Sequence, residues 1–308
     1  MDVPPWLRAR PSRFPGVPAW GAATSSAPLE PFAISQFPNI TREWALGGAD
    51  GTGVRVCVVD SGVDDSHPQI GRLETSAAVV MDEQGQLSVQ EGVHEDLAGH
   101  GTACAGVIRS VAPGASLSSV RVLTHGKNGS GQALLEGLSW AIDQNFDIVN
   151  LSLSTTLPAI AAELRELADR AYFRRTVLVV SAHNMPVLSY PWTFSSVISV
   201  ACHNEEDPMR YYYNAGPPVD FFARGIRVRV PWTGRTERVN TGNSFAAPHL
   251  AGIAALILSK HRWLTPFQLK SVLFMTADNV AAADPVDTGI AALAEEGAGE
   301  HEQHAMER

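Results

Sequence analysis

Gly99-His100-Gly101-Thr102-Ala103-Cys104-Ala105-Gly106 stands between two other short segments of this chain. Val58-Val59-Asp60-Ser61-Gly62 precedes it and Thr241-Gly242-Asn243-Ser244-Phe245-Ala246-Ala247-Pro248 follows it. Each sets one side chain used in acid, base or nucleophilic catalysis beside glycine, where backbone turns sharply and a substrate can come close. Singly, each has an ordinary reading. An Asp that ends an apolar run is a strand-terminal turn residue, Gly-His-Gly occurs by chance, and a Ser before Phe-Ala-Ala-Pro caps a helix. Together, and in the order Asp, His, Ser, they require one account.

The sequence around them alternates between two periods. Residues 54–59, 117–123, 148–153, 177–181 and 197–201 are short, nearly continuous runs rich in Val, Ile and Leu, as suits strands buried on both faces of a parallel sheet. Between them, Leu134, Leu138, Ala141 and Ile142 recur at helical spacing, as do Ile160, Leu164, Leu167 and Ala171. Thr265-Pro266-Phe267-Gln268 offers an N-cap, a proline at N1 and a glutamine at N3, the start of a last helix. His100 and Ser244 each open an apolar helical segment, and Asp60 closes a strand. The alternation predicts an α/β fold: a doubly wound, mostly parallel central sheet with helices on both faces and the site at the carboxyl ends of the strands. Residues 1–35, rich in Pro, Ala, Ser and Arg, are expected to form an extension; residues 36–280 form the folded domain, and the Ala/Glu-rich residues 281–308 form a flexible tail.

In its order of motifs the chain resembles the subtilisin-like serine proteases, the subtilase family (peptidase S8), over about residues 45–280. Chymotrypsin-like enzymes run His, Asp, Ser and α/β-hydrolases run Ser, Asp, His. The resemblance implies a serine endopeptidase acting on peptide or protein substrates. Ser244 would be the nucleophile and His100 the general base, with Asp60 fixing its tautomer. The family takes a second oxyanion donor from an Asn after a buried strand, which here is Asn184 in Ser181-Ala182-His183-Asn184. By residue type alone the same Asn reads as a turn residue. Substrate backbone would pair with Ser152-Leu153-Ser154 and with Gly129-Ser130-Gly131. Two residues depart from the family: Asn243 stands where Thr is usual before the nucleophile, and His183 stands where Gly is usual and is expected at the primary specificity pocket. They leave room for an alternative, a subtilisin-fold pseudoprotease that binds peptides as a scaffold.

Other features narrow the reading. Only residues 107–110 separate Gly106 from Val111, where secreted relatives carry an insertion that wraps calcium; six to eight oxygens cannot be assembled there. No metal and no cofactor are expected. His94, Asp96 and His100 can be drawn as zinc ligands, but the glycines around His100 suit the triad better. Cys104, one helical turn from His100, reads as packing, His67 and His249 as structural, and Tyr211-Tyr212-Tyr213 as wall or core. A net charge of −9 without a Lys/Arg run speaks against nucleic acid as partner. The longest apolar runs are too short to span a bilayer, and prolines break the early ones, as they would not in a signal peptide. Three cysteines within apolar segments suit reduced thiols and a cytoplasmic setting. Residues 4–18, proline-punctuated with Trp6, Leu7 and Phe14, are read either as a strand lying across the cleft and inhibiting in cis or as a tail without a role.

Overall fold

Why does this chain bury two cores rather than one? Strand β1 (Arg55–Asp60) is buried along nearly its whole length, and a strand sends successive side chains to opposite faces. Val56 and Val58 enter one apolar cluster and Cys57 and Val59 another, so both faces of the sheet must be covered by helices. The computed structural model describes residues 40–92, 95–124, 129–216 and 218–280. Both terminal segments expected from composition lie outside these residues.

Among the described residues the large sheet has nine strands. Besides β1 they are β2 (Ser76–Met81), β3 (Leu87–Glu91), β4 (Ser116–Arg121), β5 (Ile148–Leu151), β6 (Val177–Ser181), β7 (Ile198–His203), β8 (Tyr211–Tyr213) and β9 (Phe221–Arg224). Their order is β3-β2-β4-β1-β5-β6-β7-β9-β8. The pairs β2–β3 and β8–β9 are antiparallel and all others parallel. A separate antiparallel ribbon joins β10 (Val228–Trp232) to β11 (Thr236–Asn240).

A short helix, α1 (Arg42–Leu46), precedes the sheet. One face of the sheet is covered by α2 (His100–Val111), α5 (Asn243–Lys260) and α6 (Pro266–Met275), which share a cluster with Val56, Val58, Ile148 and Val179. The other is covered by α3 (Gly131–Asp143) and α4 (Ala161–Phe173), whose Leu138, Ile142, Leu164 and Ala168 meet Val59, Val149 and Leu178. Local chemistry sets where helices start. Ser130 Oγ accepts from the Ala133 N–H at the head of α3, and Thr265 and Gln268 form a reciprocal capping box at α6. α1 docks on the far end of α5, where Trp44 stacks on His261 and the Lys260 ammonium donates to the Glu43 and Gly47 carbonyls.

The five strands read from apolar runs are β1, β4, β5, β6 and β7, within one to two residues at most ends. β2 carries a comparable apolar run, Ala77-Ala78-Val79-Val80-Met81, outside these five; the remaining strands carry none. β3 and β11 are largely exposed, and β8 and β9 are short; they are strands because a neighbour offers hydrogen bonds. α2 runs without interruption through residues 107–110. Among the described residues no helix is long and apolar enough to cross a membrane.

Candidate active site

Asp60 is the last residue of β1 and wholly buried. Its Oδ1 accepts from the Ser61 N–H at 2.7 Å, and both carboxylate oxygens lie 2.9 Å from His100 Nδ1. A carboxylate can only accept, so Nδ1 keeps its proton, and Nε2 bears a lone pair whenever the ring is neutral. Burial, the largest influence, disfavours the charged ring, yet the charge and hydrogen bonds of Asp60 together with Cys104 hold His100 well above the ordinary histidine value.

The approach of these two groups depends on missing side chains. A Cβ on Gly101 would stand 2.0 Å from the Gly62 carbonyl, and one on Gly62, at φ +97°, would stand 2.0 Å from the Glu95 carbonyl. The loop after β1 and the head of α2 are therefore in backbone contact, and glycine is the only residue that permits it.

A residue that the sequence offers only as a metal-ligand candidate ties them together. The Asp96 carboxylate accepts from Ala98 N–H, Gly99 N–H and Ser61 Oγ on one oxygen, and from Thr102 N–H and Thr102 Oγ1 on the other. It thus caps α2, where an anion is favoured by the helix dipole. Ser61 Oγ in turn accepts from the Gly101 N–H at 3.0 Å. The zinc option fails on this point, because both Asp96 oxygens are committed to the helix head; His94 lies outside the described residues. Asp60, His100 and Cys104 present ligand atoms within 4.8 Å of one another, but Nδ1 and the carboxylate already engage each other.

Ser244 is the second residue of α5. Four residues on, Pro248 has no N–H to give to the Ser244 carbonyl. The thiol of Cys104 supplies a donor in its place, at 3.6 Å. Burial pushes the Cys104 pKa up, which keeps it a thiol and hence a donor. The sequence presents Cys104 as a packing residue; its contact with the nucleophile's own carbonyl adds a reason for a sulfhydryl there. The Ser244 hydroxyl and the His100 ring border one cavity without a direct hydrogen bond between them. Catalytic hydrogen bonds often tighten only when substrate is bound.

That cavity holds about 330 Å³. Its walls include both predicted extended segments, Ser152-Leu153-Ser154 and Gly129-Ser130-Gly131, together with His183 and Asn184. The Ser130 hydroxyl also caps α3. The short segment after Asn184 is closed by an antiparallel bridge in which Thr155 and Tyr190 exchange two hydrogen bonds of 2.9 and 2.8 Å. Ser189 Oγ, held by Trp192 Nε1 at 2.7 Å, reaches Ser154 Oγ at 3.3 Å. Leu123, Leu134, Thr155 and Leu157 also line the cavity. They are scattered along the chain and share no sequence pattern, so only the fold brings them into view.

Asn184 follows β6 and is exposed at the cavity rim. Its Oδ1 accepts from the Asn243 N–H at 2.9 Å, which fixes the amide orientation and points Nδ2 elsewhere, with no partner among the described residues. The point where a Cβ on Gly242 would stand is 3.4 Å from both Asn184 Nδ2 and Ser244 Oγ; with glycine there, the space between amide and hydroxyl stays open. Asn243, for its part, turns its side chain away from that space: Oδ1 accepts from the Cys202 N–H at 2.9 Å and Nδ2 donates to the His183 carbonyl at 3.2 Å. The remaining singled-out residues are structural in their contacts. His67 meets the Thr236 carbonyl, His249 Nδ1 donates to the Phe245 carbonyl, and Tyr211 fills the core.

The chain is similar to known proteins over most of its length. The sequence model of the subtilase family matches residues 51–299. Over 264 residues the chain is 33% identical to subtilisin E of Bacillus subtilis (strain 168), covering 80% of this chain and 66% of that protein, just under two thirds of its length. It is 32% identical over 264 residues to a subtilisin of Bacillus pumilus, covering 80% of this chain and 91% of that one. The crystal structure of a cold adapted subtilisin-like serine proteinase superposes with a TM-score of 0.61 at 26% identity, covering 76% of this chain and 86% of its own. On motif order, topology and similarity alike, the chain belongs to the subtilase family.

Proposed function

We propose that this protein is a serine endopeptidase that hydrolyses peptide bonds through an acyl-enzyme on Ser244. The observation that carries the reading is the buried Asp60 carboxylate, with both oxygens 2.9 Å from His100 Nδ1, and with the ring and Ser244 bordering one cavity. His100 Nε2 takes the Ser244 proton as Oγ attacks the scissile carbonyl, and Asp60 stabilises the imidazolium that forms. The tetrahedral oxyanion is met by Asn184 Nδ2 and by backbone N–H groups at the head of α5, where the helix dipole favours negative charge. The imidazolium then returns its proton to the leaving amine, and water repeats the sequence to release the acid.

Labelling with a fluorophosphonate probe tests this directly. The wild-type chain should react at Ser244 and cleave a denatured protein substrate, whereas Ser244→Ala should do neither. In a subtilisin, loss of the nucleophile costs about 2 × 10⁶ in kcat. An unlabelled, folded wild-type chain would instead favour a peptide-binding scaffold, a reading that draws on Asn243 and His183.

Two finer readings accompany it. Three cysteines without a disulfide support action inside the cell on peptides or proteins. Residues 4–18 would lie across the cleft and restrain the enzyme in cis. A truncated protein starting at Pro31 should show a severalfold higher kcat/KM than the full chain; equal rates for two folded proteins would remove the cis-inhibition reading.

A further inference from the structure

Asn243 touches three segments at once. Its backbone N–H donates to Asn184 Oδ1 at 2.9 Å; its side-chain Oδ1 accepts from the Cys202 N–H of β7 at 2.9 Å; and its Nδ2 donates to the His183 carbonyl, just beyond β6, at 3.2 Å. β6 and β7 are paired in parallel only over Val179↔Ile198, Val180↔Ser199 and Ser181↔Val200. Past Ser181 the ladder contributes one more bond, Ala182 N–H to the Val200 carbonyl at 2.8 Å. His183 and Asn184 therefore leave the sheet without further ladder support. The next residues, Met185 to Leu188, are exposed.

From these contacts we infer that Asn243 is a positioning residue for the oxyanion donor: its carboxamide acts as a splint that replaces the missing rungs between β6 and β7, and its backbone N–H sets the rotamer of Asn184. The inference rests on the protease reading above. Without the splint, the strand end that carries Asn184 is free to shift relative to the Asn243 N–H that orients its amide. Nδ2 then meets the developing oxyanion only part of the time. A carboxamide suits the task because it offers an acceptor and a donor side by side on one planar group, matching the Cys202 N–H and the His183 carbonyl. A hydroxyl, by contrast, carries donor and acceptor on a single atom.

The same contacts commit the Asn243 side chain to Cys202 and His183, with one Nδ2 hydrogen on the His183 carbonyl. Gly242 completes the arrangement by leaving the space between Asn184 Nδ2 and Ser244 Oγ unfilled.

The test is a double-mutant cycle on the full-length protein, with Asn243→Ala and Asn184→Leu, read by peptide hydrolysis and by inhibition with a peptide boronate, which forms a tetrahedral adduct on the nucleophile. Displacing a catalytic group by an ångström costs up to about 100-fold. Asn243→Ala should accordingly lower kcat by roughly 10- to 100-fold with KM within about threefold, and weaken the boronate by a similar factor. In the Asn184→Leu background the same substitution should have no further effect on kcat, because the group it positions is gone. Asn243→Asp, which keeps the acceptor and loses the donor, should fall between. Amide exchange at Cys202 gives a readout without catalysis and should accelerate in Asn243→Ala. If Asn243→Ala does not fold, Asn243→Ser enters the same cycle. Full additivity of the two substitutions, a change confined to KM, or unchanged kcat would overturn the splint. A wild-type chain that does not react with fluorophosphonate would overturn the protease reading and this inference with it, a result distinct from a reactive wild type with unaffected variants.

Discussion

His249 lies on α5, five residues beyond the nucleophile and almost wholly buried, with Nδ1 donating to the Phe245 carbonyl at 2.7 Å. Burial pushes its pKa from 6.5 down to about 4. In the unfolded chain the same side chain titrates near 6.5. Between the two values the unfolded chain binds a proton that the folded one refuses, so stability is fully present above about pH 6.5 and drains away as pH falls toward 4. A span of about 2.5 pH units at 1.36 kcal/mol each gives a full loss of about 3 kcal/mol, of which roughly 2 kcal/mol is gone at pH 5. Urea unfolding of the Ser244→Ala protein, which cannot digest itself, measures this against the pair Ser244→Ala/His249→Gln. Glutamine keeps a donor for the Phe245 carbonyl and does not titrate. The parent should lose about 2 kcal/mol more between pH 7 and pH 5 than the His249→Gln protein. Equal losses to within about 0.5 kcal/mol would refute the reasoning, because other titrating groups are common to both proteins and cancel.

The remaining predictions bear on catalysis and on the frame that supports it. Asn184→Leu should lower kcat by about 10²–10³ with KM little changed, and a rise in KM alone would make Asn184 a binding residue. Because catalysis needs neutral His100, whose pKa is raised by Asp60, the rising limb of kcat/KM against pH should lie above the ordinary 6.5; a limb below it would contradict the buried ion pair. Cys104→Ala removes the donor to the Ser244 carbonyl and should cost about 1–3 kcal/mol by urea unfolding, with Cys104→Ser recovering part of the loss. EDTA should leave the melting temperature unchanged, since α2 continues through residues 107–110 with no loop to hold an ion. A fall of several degrees would reveal a calcium site elsewhere.

Sequence periodicity carries far in the centre of the sheet and fades at its margins. β1, β5, β6 and β7 lie inside the sheet with both faces covered, so their residues are largely apolar and the run is visible to the eye; β4 lies there too but buries Ser118 and Ser119 beside Leu117 and Val120. β3 at one edge reads Leu87-Ser88-Val89-Gln90-Glu91 and is a strand because β2 lies beside it. The two are joined by a tight turn over residues 82–86 with Gly85 at φ +81°, so the pairing is local, but an exposed edge strand carries no apolar run to mark it. The same holds for the ribbon of β10 and β11, where Val228, Val230 and Trp232 form a small cluster with Ala103, Val107 and Phe245 while β11 stays exposed.

At the site the division is finer. Asp60, His100 and Ser244 announce themselves because each must sit beside glycine, and Gly62 and Gly101, where two backbones touch, are a steric demand written into composition. Their order along the chain then suffices to choose among the known ways of assembling such a triad. What the linear sequence could not carry is which side chains hold the assembly in place. Asp96 gathers donors from the loop after β1 and from the head of α2, Cys104 answers a carbonyl that Pro248 leaves unpaired, and Asn243 bridges two strand ends remote from it in the chain. A hydrogen bond is decided by ångströms and angles between groups that are distant in sequence. Residue identity supplies the donors and acceptors, and only the folded backbone determines which of them meet.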